Sequence, residues 1–240
     1  MRHFLSLADY STEELNTLLS LAVELKKEYK TTGRNLPELS NKVLAMVFQK
    51  PSLRTRVSFD MAMRHLGGDA LYLSPNEIGL GKRESIADVS RVLSGYVDAI
   101  MARVFDHAHV LELAEHASIP VINGLSDFNH PCQAMADVLT IYERFEAFDD
   151  LKLTFVGDGN NVAVSLLYAA VRFGFNVTIA TPDGYGLSSQ VIKQAQALNE
   201  MKVEILQSNE PQEAVQGANV IYTDTWVSMG QEEEQKKREA

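Results

Sequence analysis

Short β-rich runs alternate with amphipathic helical stretches along almost the whole chain, and no other feature constrains the fold as much. Runs of β-branched and other apolar residues stand at 42–48, 70–73, 99–104 and 121–125. Between them the apolar spacing changes to helical at 55–65, 85–94 and 110–117. Gly67-Gly68 closes the first of these helices as a C-cap should. Upstream, Ser11 and Glu14 form a capping box ahead of Leu15, Leu18, Leu19, Ala22 and Leu25, which share one helical face. A longer helix is predicted at 132–145, running into the acidic turn Phe148-Asp149-Asp150.

There the pattern starts again, with strands at 152–156, 177–180, 203–206 and 220–223 and helices at 162–173, 188–199 and 211–215. Strands separated by helices of this length imply parallel sheets with right-handed crossovers. The expected fold class is α/β. It has two domains, residues 1–145 and 150–240, each a mostly parallel sheet flanked by helices, joined by the long helix. Ligands of open α/β sheets bind beyond the C-terminal ends of strands, so the residues just after each strand carry the functional question.

Charge and cysteine usage narrow the class. The chain of 240 residues carries 22 Lys and Arg against 32 Asp and Glu, a formal charge of −10. That balance disfavours a general nucleic-acid surface, although a local anion site stays open. The single Cys132 excludes an intrachain disulfide framework. No apolar run approaches the ~18 residues of a membrane span, and the opening MRHFLSLADYSTEE turns acidic too early for a signal peptide. The expectation is a cytoplasmic protein without membrane or nucleic-acid partners. The six histidines show no ligand spacing with a motif rationale, so no metal is expected.

Five strand ends carry candidate chemistry. The first strand leads into Gln49-Lys50-Pro51-Ser52-Leu53-Arg54-Thr55-Arg56 and a helix. Free N–H groups at a helix start, two hydroxyls and two guanidiniums suit an anion; a simple Ser cap with solvated arginines fits equally. The sequence lacks the glycines and lysine of a nucleotide-triphosphate loop. The third strand ends in Arg103, a costly position unless the cation meets an anion or a carboxylate. The fourth leads through a turn-rich passage to His130-Pro131-Cys132-Gln133. Imidazole can donate to a carbonyl oxygen and the Gln amide can read a carboxamide. Cys132 reads as packed rather than nucleophilic. The fifth strand ends Gly157-Asp158-Gly159-Asn160-Asn161-Val162, and Val162 stands where a dinucleotide fingerprint needs glycine, so no nicotinamide cofactor is expected. The eighth runs into Asp224, a carboxylate that could hold an ammonium group or cap a turn.

Taken together and in order, these motifs resemble the aspartate/ornithine carbamoyltransferase family. The matching residues are Ser52-Leu53-Arg54-Thr55-Arg56, Arg103, His130-Pro131-Cys132-Gln133, Asp158-Gly159-Asn160-Asn161 and Asp224-Thr225-Trp226-Val227-Ser228-Met229-Gly230. The Asp224 to Gly230 run matches the ornithine-specific branch.

The resemblance implies transfer of a carbamoyl group from carbamoyl phosphate to the δ-amine of L-ornithine, within arginine metabolism and without a cofactor. Ser52, Leu53, Arg54, Thr55, Arg103, His130 and Gln133 would bind carbamoyl phosphate, with Arg54, Arg103 and His130 catalytic. Asn161, Asp224, Ser228 and Met229 would bind ornithine. A homotrimer, or a multiple of it, is implied, with active sites shared between subunits and domains. Two departures from the family pattern stand out. Gly79 aligns with a polar residue that relatives lend to a neighbouring subunit, which leaves Lys82 or Arg83 as substitutes. The chain ends at Ala240 without a His-Cys-Leu-Pro segment, so a C-terminally incomplete second domain is expected. Putrescine or an N-acylated ornithine as acceptor, or a non-catalytic binding subunit, are the alternative readings.

Overall fold

The computed structural model describes residues 2–81 and 83–225, which form two compact units divided between Leu139 and Thr140. The first unit opens with a 3-10 turn, Leu7–Asp9, and helix α1, Thr12–Thr32. The capping box is in place: Ser11 Oγ accepts from Glu14 N and Glu14 Oε2 accepts from Ser11 N. Four parallel strands follow, β1 (Val43–Phe48), β2 (Asp69–Leu73), β3 (Ala99–Arg103) and β4 (Val121–Leu125), in the order β2-β1-β3-β4. Helices α2 (Leu53–His65), α3 (Pro75–Ile78), α4 (Ile86–Ser94) and α5 (His107–His116) connect them.

Both faces of this sheet are covered, which is why β1 reads as a continuous apolar run rather than an alternating one. Ala45 and Val47 pack with Ile100, Ala102, Val89, Val110 and Leu113 on one side. Leu44, Met46 and Phe48 pack with Met63 and Met101 on the other. The β4 edge is shielded by the N-terminal segment, where Phe4 N donates to Val121 O and Asn123 N donates to Phe4 O, both at 2.8 Å.

Helix α6, Pro131–Phe145, carries the division between the units. The second unit contains β5 (Lys152–Val156), α7 (Asn161–Phe173), β6 (Asn176–Ala180), α8 (Ser189–Leu198), β7 (Ile205–Ser208), α9 (Pro211–Ala214) and β8 (Val220–Tyr222). Its strands are again parallel, in the order β7-β6-β5-β8. From Val162 onward every residue of α7 is buried, as in a helix apolar all round.

The α/β fold class expected from the alternation is therefore observed. Three local differences have physical causes. Helix α3 was not anticipated, although Ser74-Pro75-Asn76-Glu77 is a helix-start sequence and Glu77 Oε2 accepts from Ser74 N at 2.8 Å. Helix α5 starts three residues before the apolar pattern because Asp106 caps it, accepting from Ala108 N. Strand β7 begins at Ile205 rather than at 203. The Asn199 side chain binds both Val203 N and Val203 O, which spends residues 200–204 on a turn.

Candidate functional site

In the first sheet the chain adds β2 on one side of β1 and β3 on the other, so the crevice position lies where β1 and β3 end side by side. Phe48 is in register with Arg103, and Gln49 N donates to Arg103 O at 2.8 Å. Ser52 then caps α2, its Oγ accepting from Thr55 N at 3.4 Å and donating to Thr55 Oγ1 at 3.1 Å. No acidic residue occupies the first turn of α2, so nothing there offsets the positive end of the helix.

Arg103 reaches this helix start from the end of β3, its Nη1 donating to Thr55 Oγ1 at 3.3 Å. The residue is 6% exposed, and no carboxylate pairs with it among the described residues. Its Nε lacks a hydrogen-bond partner among them. Burial and the neighbouring Arg54 charge both lower its pKa. Two guanidiniums, a hydroxyl pair and a helix N-terminus thus gather without a counter-charge, which suits a multiply charged anion. The second arginine of the motif is not part of this group. Arg56 lies over the Tyr72 ring at 4.0 Å, and Lys50 lies over Phe105 at 4.5 Å.

His130 arrives from β4 through a closed turn. It is half-buried, and burial together with the Arg103 charge pushes its pKa down to about 4. The ring is therefore neutral at pH 7 and keeps one N–H to donate. Gln133 lies in the first turn of α6, its Nε2 donating to Asp137 Oδ1 at 2.9 Å. That leaves carbonyl Oε1 as the atom suited to an NH₂ group. Cys132 turns its Sγ to Asn123 O at 3.3 Å, and burial pushes the thiol up to about 12, so it is not a nucleophile. Gln49 was not singled out in the sequence. Its Nε2 donates to Leu80 O at 3.2 Å and its Oε1 accepts from Phe105 N at 2.9 Å, which ties the anion loop to two neighbouring segments. Its place directly after a strand was the available signal.

The second unit has its own switch point, between β5 and β8. Asn160 caps the helix that follows β5. Its Oδ1 accepts from Val162 N and Ala163 N, and its Nδ2 donates to Asp224 Oδ2 at 3.0 Å. Asn161 is the first residue of α7, beside it. The Gly157–Gly159 turn folds tightly enough that a Cβ on Gly159 would meet Tyr185 O at 2.6 Å. Ser228 and Met229, like Lys82, lie outside the described residues. Among the described residues no His, Cys, Asp and Glu cluster could hold a metal, and no helix is long and apolar enough to cross a membrane.

Comparison with known proteins agrees with this geometry. Residues 2–143 match the aspartate/ornithine carbamoyltransferase carbamoyl-P binding domain, and residues 149–240 match the Asp/Orn binding domain of the same family. The chain is 53% identical over 238 residues to ornithine carbamoyltransferase of Anoxybacillus flavithermus, covering 99% of this chain and 76% of that protein. The ornithine carbamoyltransferase structure from Pyrococcus furiosus superposes with a TM-score of 0.94 at 52% identity, covering 99% of this chain and 76% of that one. The anabolic enzyme structure from Campylobacter jejuni gives 0.92 at 38% identity, with 99% and 77% covered. This chain therefore spans about three quarters of the length of these relatives. On both halves of its length, and by sequence and fold alike, it belongs to the aspartate/ornithine carbamoyltransferase family of enzymes.

Proposed function

We propose that this chain transfers the carbamoyl group of carbamoyl phosphate to the δ-amino group of L-ornithine, giving L-citrulline and phosphate. The observation that carries the reading is Arg103, buried without a carboxylate and bonded to Thr55 at the open N-terminus of α2. Relatives named ornithine carbamoyltransferase support the choice of acceptor.

In this reading Ser52, Arg54, Thr55 and the Leu53 and Arg54 N–H groups hold the phosphate. Arg103 bridges phosphate and carbonyl oxygen, and neutral His130 donates to the same carbonyl oxygen. Gln133 accepts from the carbamoyl NH₂. Asn161, Asp224, Ser228 and Met229 orient the α-amino and α-carboxyl end of ornithine. The neutral δ-amine attacks the carbonyl carbon, forming C–N as C–O to phosphorus breaks. The amine passes a proton to the departing phosphate, which leaves with the electrons of the broken C–O bond. Charge grows on the carbonyl oxygen and on the leaving group, so fixed donors supply most of the rate.

A homotrimer, or a multiple of it, fits a further feature. Leu53, Val57 and Met61 recur along one side of α2 and are 79%, 49% and 40% exposed, an apolar stripe that a second copy would cover. Sedimentation equilibrium checks this against multiples of the 26.7 kDa chain mass.

The activity is tested by incubating the chain with carbamoyl phosphate and L-ornithine, putrescine or an N-acylated ornithine, and following carbamoylated product and phosphate. Citrulline from ornithine at the highest kcat/KM supports the proposal. Preference for putrescine, which lacks the α-carboxylate, or for the N-acylated ornithine, which lacks a free α-ammonium, overturns it, as does carbamoyl phosphate binding without turnover.

A further inference from the structure

We infer that Asn123 and Asn129 are positioning residues for His130, acting as a buried amide pair anchored on the backbone carbonyl of Leu5. The inference rests on the carbamoyl-transfer reading, in which His130 donates to the reacting carbonyl.

Asn123 and Asn129 are 0% and 1% exposed. Asn123 Nδ2 donates to Asn129 Oδ1 and, at 3.1 Å, to Leu5 O. Asn129 Nδ2 donates to the same Leu5 O at 3.2 Å. The turn is closed by Ser126 N to Asn129 O at 3.0 Å and Asn129 N to Ser126 Oγ at 3.2 Å. Leu5 is itself held, because the preceding residue, Phe4, pairs with β4. Asn129 is thus pinned through both its side chain and its backbone.

His130 follows directly and is bounded on its other side by Pro131, the first residue of α6. A residue before proline is confined to extended backbone. His130 therefore sits between an anchored amide and a proline ring, with little freedom to move its imidazole relative to Arg103. Asn123 also leaves its Oδ1 without a partner among the described residues. Its amide is held in place by the two bonds that Nδ2 makes, which an aliphatic side chain would break.

The backbone beneath the pair is irregular for the same purpose. Ala102 pairs with Asn123 but Arg103 pairs with Leu125, so Gly124 is an inserted bulge residue opposite Arg103. A Cβ on Gly124 would lie 2.4 Å from Met101 Sδ. Bulges re-aim side chains at functional sites. Here one irregularity sets the strand end that carries Arg103 and the start of the turn that delivers His130.

The test is a double-mutant cycle in the full chain, using Asn129→Ala, His130→Ala and the double variant, with kcat and KM for both substrates. Asn129→Ala is expected to lower kcat by about 10–100-fold while KM for carbamoyl phosphate changes less than about threefold. In the His130→Ala background the same change should cost almost nothing further, because the residue acts through the imidazole. Asn129→Ser, which retains a turn-forming residue, is expected to show the same coupling and serves if the alanine variant does not fold. Equal losses in both backgrounds, or a loss confined to KM, overturn the positioning role alone. Wild-type turnover by His130→Ala overturns the site reading and the positioning role together.

Discussion

Arg103 Nη1 donates to Thr55 Oγ1 across 3.3 Å, and this bond from the end of β3 to the first turn of α2 is made without any carboxylate paired to the arginine among the described residues. A cation buried in that way is unfavourable for folding unless an anion joins it. In the proposed reading, carbamoyl phosphate binding relieves that cost.

Replacing the cation separates stability from activity. Arg103→Met should stabilise the unliganded chain by about 1–3 kcal/mol, because an apolar side chain of similar length takes the place of an unpaired buried charge. The same variant should lose at least about 10²-fold in turnover, the usual cost of removing one donor to developing charge. Denaturant unfolding and a citrulline assay measure the two effects. A less stable Arg103→Met chain would show that the guanidinium is satisfied in the absence of ligand.

Anion binding should in turn be visible as stabilisation. Carbamoyl phosphate, or inorganic phosphate at higher concentration, is expected to raise the melting temperature, with about 2.7 kcal/mol gained at a hundredfold excess over Kd. Ser52→Ala removes a hydroxyl from the α2 N-terminus and should weaken this response, while costing about 1 kcal/mol of stability through the lost cap. Thermal scans with and without ligand distinguish the effects, since a pure cap loss lowers both curves equally.

Much of this site is legible in the sequence. The strand-to-helix run at Ser52–Thr55 shows in the sequence as an apolar run meeting a Ser cap, because local hydrogen bonding decides both. Local pattern does not pair Arg103 with Thr55; only the family resemblance puts both in one site. Thr55 is 48 positions away, and only the side-by-side placement of β1 and β3 brings them together. Arg56 shows a choice that local pattern leaves open. Its place in the motif suggested an anion ligand, yet helical geometry turns it away, over the Tyr72 ring of β2. Asn160 and Asn161 were interchangeable as letters. Cap geometry, which depends on where α7 begins, assigned the first to the backbone and to Asp224.

In the second unit that contact yields a specificity prediction. Asp224 Oδ2 accepts from Asn160 Nδ2 at 3.0 Å, which orients one carboxylate oxygen; in the proposed reading this side chain meets the α-ammonium of ornithine. Asp224→Asn should raise KM for ornithine by at least about tenfold, with little change in KM for carbamoyl phosphate. An N-acylated ornithine, which keeps the α-carboxylate but lacks a free α-ammonium, should be discriminated against less by the variant. Steady-state kinetics over both acceptors check this, and equal effects on the two would remove Asp224 from ammonium recognition.

The turn beside it tolerates no side chain. A Cβ at Gly159 would lie 2.6 Å from Tyr185 O and 2.8 Å from the Gly186 carbonyl carbon, both backbone atoms that cannot rotate away. Gly159→Ala should therefore push the 185–187 segment off the β5 turn and destabilise the chain by about 1–3 kcal/mol. Gly184 offers a control, since its Cβ would meet nothing within 4 Å but its φ is +82°. Gly184→Ala should cost only the backbone strain, about 1 kcal/mol. Urea unfolding of the two variants ranks them, and a Gly184 variant as damaged as the Gly159 one would contradict the close-approach argument.

Acid should act on the fold through His130. Its pKa is pushed from 6.5 to about 4 by burial and by the positive Arg103, so the folded chain holds the ring neutral where the unfolded chain would protonate it. The unfolded state binds the extra proton between those values, and stability rises with pH across that window. The contribution is complete above about pH 6.5 and is lost as pH falls towards 4, for a total of about 3 kcal/mol at 1.36 kcal/mol per pH unit. His3 and His107 have pKa values lowered by burial and act in the same direction, so the wild-type curve alone does not isolate His130. The difference between wild type and His130→Asn does. In phosphate-free buffer, the variant should lose about 3 kcal/mol less than wild type between pH 7.5 and pH 4. Because His130 stays neutral well below pH 6, it should place no acid limb on turnover near neutrality. The rise in activity above pH 7 should then follow deprotonation of the acceptor amine, and it should persist in His130→Asn at the lower absolute rate. Parallel stability curves for the two proteins would show that the imidazole is not held neutral by the fold.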